Sequence, residues 1–446
     1  MRHRTLSGPL TWLLAVVAIA LLAPSAGAAT LGQRLVLPNG LVVLVAEQRA
    51  VPIVAISLLV RTGSLCDPPA KPGLANLTAQ LLSQGTTTRT GPQLSEAIDF
   101  IGGSLDVDAE LETTAITMTL LSKDLDLGLE LLGDLLIHPT FHPPDVERKI
   151  QEVIADLKRD QEDPATVSAQ AFMHGLYGAQ ALGTPVEGTE ASLPTITRED
   201  VVRFHATYYR PNQVILAVAG DVGVADLQQR LQARFGAWQP GGAPAIPAAL
   251  APAVPKRTVR VIPREVTQAN ITLGTVGIRR DNPDYYAVQV MNYLLGGGFS
   301  SYLIATIRDE KGWAYDVSSP FSTRKYGGEF TIALQTKNEV ADQAIASAVA
   351  QMRRIRDTPV DAQALNDAKA YLTGSFPLGL DTTKKIAGRL AAIEYFGLGL
   401  DYVDRYPGLI TAVTAADVQR VARKYLDPDT YVLAAVANLA VAKIKE

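Results

Sequence analysis

Apolar residues recur along this chain with two periods, and the switches between them divide it into short strands and longer helices. Residues 34–37, the turn Pro38-Asn39-Gly40 and residues 41–47 read as a hairpin, followed by a third strand over 51–61. Leu105, Val107, Ala109 and Leu111 alternate with polar residues, as do Ile116, Met118 and Leu120, which predicts antiparallel strands with one wet face. Helical spacing predicts helices over 74–84, 94–101, 124–137, 145–160 and 198–208, the last with Thr197 as its N-cap. Strands and helices come in clusters, without strict alternation. The fold class is therefore α+β, with helices packed on antiparallel sheets.

The pattern breaks at residues 239–256, QPGGAPAIPAALAPAVPK, where five prolines and two adjacent glycines exclude helix or central strand and predict a semi-extended linker. The flanking segments repeat one another. Thr197, Asp200, Val201, Tyr208 and Pro211 stand 217 residues before Thr414, Asp417, Val418, Tyr425 and Pro428, and each series runs into an apolar strand, 214–219 or 431–437. Leu81, Leu82 and Gly85 match Leu294, Leu295 and Gly298 at an offset of 213. Such pairing predicts two homologous domains, 29–238 and 257–446, joined by the linker.

Residues 1–28 have the layout of a secretory signal peptide. Arg2, His3 and Arg4 precede an uncharged run of 14 residues, Leu10 to Ala23, and Ala26-Gly27-Ala28 offers a small-residue cleavage motif. An uncleaved membrane anchor is the rival reading, but about 20 apolar residues are needed to span a bilayer. A periplasmic or secreted location follows, with no membrane association after cleavage. Loss of Arg2 and Arg4 leaves 39 basic against 45 acidic residues, net −6, which gives no support to a nucleic-acid partner. Cys66 is the single cysteine, so no internal disulfide can form and the fold rests on its cores.

Candidate chemistry is sparse. There is no G-x-S-x-G elbow, and Cys66 sits in a loop-like Cys-Asp-Pro-Pro run. His138 and His142 have the i, i+4 spacing of a helical metal pair, but Pro139, Pro143 and Pro144 interrupt them, which predicts two loop histidines. His174 and His205 fall in helical patterns without nearby ligands. Gly296-Gly297-Gly298 lacks the Lys-Ser/Thr of a phosphate loop and reads as a flexible or close-contact turn.

The run from Leu294 through Gly296-Gly-Gly-Phe-Ser-Ser-Tyr302, with Arg308-Asp-Glu-Lys-Gly-Trp-Ala-Tyr315 after it, resembles the second half of pitrilysin/insulinase-type zinc peptidases, a group that includes mitochondrial processing peptidases. Leu37-Pro-Asn-Gly40, Lys71-Pro-Gly-Leu-Ala75, Gly85-Thr86 and Tyr209-Arg-Pro-Asn212 extend the resemblance over almost the whole chain after residue 28. Active members of that family carry His-x-x-Glu-His on the helix after Pro-Gly-Leu-Ala, with a distal glutamate ligand. This chain has Asn76, Ala79 and Gln80 at those positions, and the distal ligand aligns with Asp156, with Glu152 a close competitor. Neutral amides are poor zinc ligands beside imidazole, and alanine accepts no proton. The resemblance thus implies a degenerate metal site and no cofactor bound by this chain.

Arg308 and Tyr315 match the type and spacing of a family pair that holds the substrate backbone and helps stabilise the tetrahedral intermediate. Together these features imply a catalytically incomplete subunit of a heteromeric peptidase, in which a zinc-bearing homologue supplies the metal and unfolded peptides are the substrate. Two alternatives stay open: a stand-alone zinc peptidase with a metal site rebuilt around Asp156 and Glu152, and a non-catalytic structural or peptide-binding scaffold.

Overall fold

The computed structural model describes residues 30–242, 244, 246 and 257–444. The predicted signal peptide, 1–28, and most of the predicted linker, 239–256, therefore lie outside the described residues. Six strands form the N-terminal sheet: β1 (Gln33–Val36), β2 (Val42–Glu47), β3 (Ile53–Val60), β4 (Ser104–Ala109), β5 (Thr114–Leu121) and β6 (Val214–Gly220), in the order β1-β2-β6-β3-β5-β4. Five form the C-terminal sheet: β7 (Thr258–Pro263), β8 (Gln268–Val276), β9 (Ala314–Ser318), β10 (Glu329–Lys337) and β11 (Val432–Ala437), in the order β7-β11-β8-β10-β9. Without β1 the two orders are the same. In each, one parallel pair, β2 with β6 or β7 with β11, interrupts an otherwise antiparallel ladder, because the last strand returns from a helical crossover instead of a hairpin.

The predicted hairpin forms at the N-terminus of the first sheet. Gly40 takes a φ of 87°, and a Cβ there would stand 2.9 Å from that of Asn212, so glycine suits both the turn and the close approach. Leu105 and Val107 face the helices, as the alternation predicts, while Asp106 and Asp108 are exposed. The strand stops at Ala109 because Glu110 and Thr113 close a tight turn, Glu110 N–H donating to Thr113 at 2.8 Å. Both repeated helices start with matching capping boxes, Thr197 with Asp200 and Thr414 with Asp417.

One helix of each half covers the other half's sheet. The helix Pro164–Tyr177 packs on β11 and β8, placing Phe172 and Leu176 against Val432 and Ala434. The helix Thr383–Phe396 packs on β3, β6 and β2, placing Ile386, Ala387, Leu390 and Ala391 against Leu44, Ala55, Ile215 and Ala217. This exchange explains why β6 and β11 are buried along their whole lengths and read as unbroken apolar runs.

His205 packs, half-buried, against the N-terminal core. Its Nε2 lies 3.0 Å from the Leu136 carbonyl oxygen and its ring stacks on Tyr209, and burial lowers its pKa to about 4. The unfolded chain therefore takes up this proton first: stability is complete above about pH 6.5 and is lost as pH falls toward 4, by about 3 kcal/mol. Urea titrations of the wild type and His205→Gln should show this part of the acid dependence in the wild type only.

Candidate functional site

The motif helix, α1 (Leu74–Leu81), is fixed at its start by a carboxylate from the preceding loop. Asp67 accepts from the Gly73 and Ala75 N–H groups at 2.8 Å each, which satisfies two of the free donors of the first turn. Burial pushes this carboxyl up to about 7, while its backbone donors pull the other way. Gly73 enters the helix with a φ of 95°, its backbone closely approached by that of Glu187, and Lys71 is ion-paired with Asp200.

On that helix Asn76 and Gln80 meet each other. Gln80 Nε2 donates to Asn76 Oδ1 at 3.2 Å, the i, i+4 contact that two metal-binding imidazoles would otherwise share a face to make. Asn76 is only 6% exposed and its Nδ2 has no hydrogen-bond partner among the described residues; Ala79 is fully buried and Gln80 half-buried. Because an unpaired buried donor is a cost, Asn76→Leu is expected to leave the melting temperature unchanged or raise it slightly, in thermal unfolding followed by circular dichroism.

The distal carboxylates lie on α2 (Pro143–Asp160) and are engaged elsewhere. Asp156 is half-exposed and ion-paired with Arg159. Glu152 pairs with Lys149 at 2.6 Å and Arg148 at 2.7 Å, and these cations hold its carboxyl below the usual range. No hydrogen bond or ion pair among the described residues joins either carboxylate to Asn76 or Gln80. Two amides, a buried methyl and two carboxylates already paired do not fit a zinc ion, which takes imidazole, thiolate or free carboxylate ligands. His142 is the residue before α2 and His138 ends the helix Leu125–Ile137, so the two histidines do not share a helix face.

Arg308 and Tyr315 stand on either side of one helix-to-strand turn of the C-terminal half. Arg308 lies in a π-helical segment, Ile304–Glu310. The Gly312 N–H donates to Arg308 O and the Trp313 N–H to Ile307 O, both at 3.0 Å, and the chain passes directly into β9, the edge strand of its sheet. The Arg308 side chain is 42% exposed and its one ionic neighbour among the described residues, Asp309, is 3.7 Å away; Tyr315 is 86% exposed. Among the described residues no hydrogen bond joins the two. A guanidinium and a phenol are thus left with donors directed to solvent, able to bind a carbonyl oxygen or a developing oxyanion.

The glycine run behind them is not the predicted turn: Gly296 and Gly297 end a π-helical segment, Tyr293–Gly297, and the run is closely packed. A Cβ at Gly296 would meet Ser319 Oγ and Leu303 at 2.5 Å, and one at Gly298 would enter the ring of Tyr293. Phe299, next in sequence, is 84% exposed, although its hydrophobicity alone predicts burial. A second residue without a sequence signal is Glu112. It is buried at the meeting of the halves and accepts from the Lys325 and Tyr326 N–H groups and the Tyr395 hydroxyl at 2.7–3.0 Å.

Comparison with known proteins adds to this picture. The model for insulinase, peptidase family M16, matches residues 42–190, and that for the peptidase M16 inactive domain matches 195–372. An uncharacterized zinc protease of Streptomyces coelicolor is 29% identical over 402 residues, covering 88% of this chain and 87% of the relative. One from Bacillus subtilis is 25% identical over 408 residues, covering 90% and 96%. The crystal structure of a peptidase M16 inactive domain from Pseudomonas fluorescens superposes with a TM-score of 0.86 at 26% identity, over 93% of this chain and all of that one. A protease from Helicobacter pylori shares the fold, with a TM-score of 0.85 at 19% identity over 92% of this chain and all of that one.

Proposed function

Since the chain belongs to the pitrilysin/insulinase peptidase family, M16, we propose that it is the catalytically incomplete subunit of a heteromeric peptidase outside the cytoplasm, whose zinc is held by a homologous partner. One observation carries the reading. At the positions where the family places two imidazoles and a general base, this chain has an amide bonded to an amide and a buried methyl group.

Arg308 and Tyr315 are the residues left to act. In the assembled pair the Arg308 guanidinium and the Tyr315 hydroxyl donate to the backbone of an extended peptide. Their hydrogen bonds strengthen as the scissile carbonyl oxygen gains charge, which is how preorganised donors lower a barrier. No proton transfer is assigned to Asn76, Ala79 or Gln80.

The test is the zinc content and peptide hydrolysis of the purified chain, alone and mixed with the partner. The chain alone should hold less than stoichiometric zinc and cleave nothing that a chelator suppresses, and the mixture should exceed the partner's own rate. Chelator-sensitive hydrolysis by the chain alone would favour a rebuilt metal site instead.

A further inference from the structure

The exchanged helices make the boundary between the halves resemble the interface of a tight heterodimer. The two exchanged helices are α3 (Pro164–Tyr177) and α4 (Thr383–Phe396). Each crosses to the opposite sheet and brings its own polar fasteners. On α3, Ser168 Oγ donates to the Ala434 carbonyl at 3.1 Å and lies 3.0 Å from Thr272 Oγ1, and Tyr177 donates to Gly328 O at 2.8 Å. On α4, Glu394 takes both Nε and Nη2 of Arg34 at 2.9 Å, and Tyr395 donates to Glu112 at 3.0 Å.

The two seams are repeats of one design. Tyr177 and Tyr395 close the ends of corresponding helices, and each reaches the segment that precedes the fourth strand of the opposite half's repeat, β10 or β5. Between the fasteners lie apolar contacts. The β6 face toward α4 presents Ile215, Ala217 and Ala219, and α4 answers with Ala387, Leu390 and Ala391, large aliphatics interleaved with alanines. Without the other half, each sheet would present this apolar face to water.

We infer that the N-terminal and C-terminal halves form a self-sufficient non-covalent pair, each half being the other's binding partner, and that the peptide connection through residues 239–256 is a tether that the native assembly does not require. A tether raises the effective concentration of the halves to the millimolar range; the exchanged helices hold the pair well below that.

The full chain tests this. A site-specific protease sequence replaces residues 247–252, the purified protein is cut, and complete cutting is verified on a denaturing gel. Diluted to about 1 µM, the cut protein should elute at the mass of the intact chain, give both halves in equal amount and melt in one transition. Leu390→Ala, which opens a cavity in the α4 seam, should weaken the cut pair by roughly 30-fold or more. Separate elution of the halves after cutting, or a cut pair unaffected by Leu390→Ala, would overturn the inference.

Discussion

Arg308→Ala should lower peptide turnover by the assembled pair about 10²–10³-fold, the usual loss when one preorganised transition-state donor is removed. Tyr315→Phe should act in the same direction, because it deletes only the hydroxyl. Both side chains are exposed, and among the described residues Arg308 has only the 3.7 Å pair with its neighbour Asp309, so the folded chain and its association with the partner should be unchanged. Steady-state kinetics together with the mass of the complex check this, and Asp316→Ala, an exposed change on the same edge strand, serves as control. If the donors act mainly in the transition state, kcat falls more than KM rises. Full turnover in both variants would remove the assigned role.

The largest stability effect is expected at Glu112. Replacing it with alanine leaves two backbone N–H groups of the C-terminal half and the Tyr395 hydroxyl without their buried acceptor, at a cost of about 3 kcal/mol or more once entering water has satisfied some of them. Burial and the neighbouring carboxylate both raise the Tyr395 pKa, so the phenol stays protonated as donor. Glu112→Gln keeps an acceptor oxygen and should lose less. Denaturant unfolding of the three proteins gives the ranking; equal stability of wild type and Glu112→Ala would contradict the assignment of Glu112 as a fastener between the halves.

Local elements were legible in the sequence because short-range physics specifies them. Thr197 and Thr414, each three residues before an aspartate, mark helix starts that the capping boxes confirm, and the alternation over 105–120 places Leu105 and Val107 inward. The exchange of helices was not legible. Apolar spacing in 164–177 and 383–396 shows that each helix buries a face, but nothing in the spacing says whose sheet it meets. The unbroken runs in β6 and β11 carry half of that information, since they call for cover on both faces.

The same division holds at the candidate site. Asn76, Ala79, Gln80, Arg308 and Tyr315 come from motif resemblance, which gives identity and order along the chain. The contact between Asn76 and Gln80 follows from i, i+4 spacing on a helix, whereas the π-helical setting of Arg308 and the exposure of Phe299 depend on packing between distant segments. Glu112 had no sequence signal at all, because its three donors lie more than 200 residues away.

The most direct measurement of the central claim is native isolation of this chain from its own compartment, with mass spectrometry of what co-elutes. The account predicts a stoichiometric homologue bearing an intact His-x-x-Glu-His motif and all of the zinc. A chain that elutes alone with one bound zinc and cleaves peptides would contradict it.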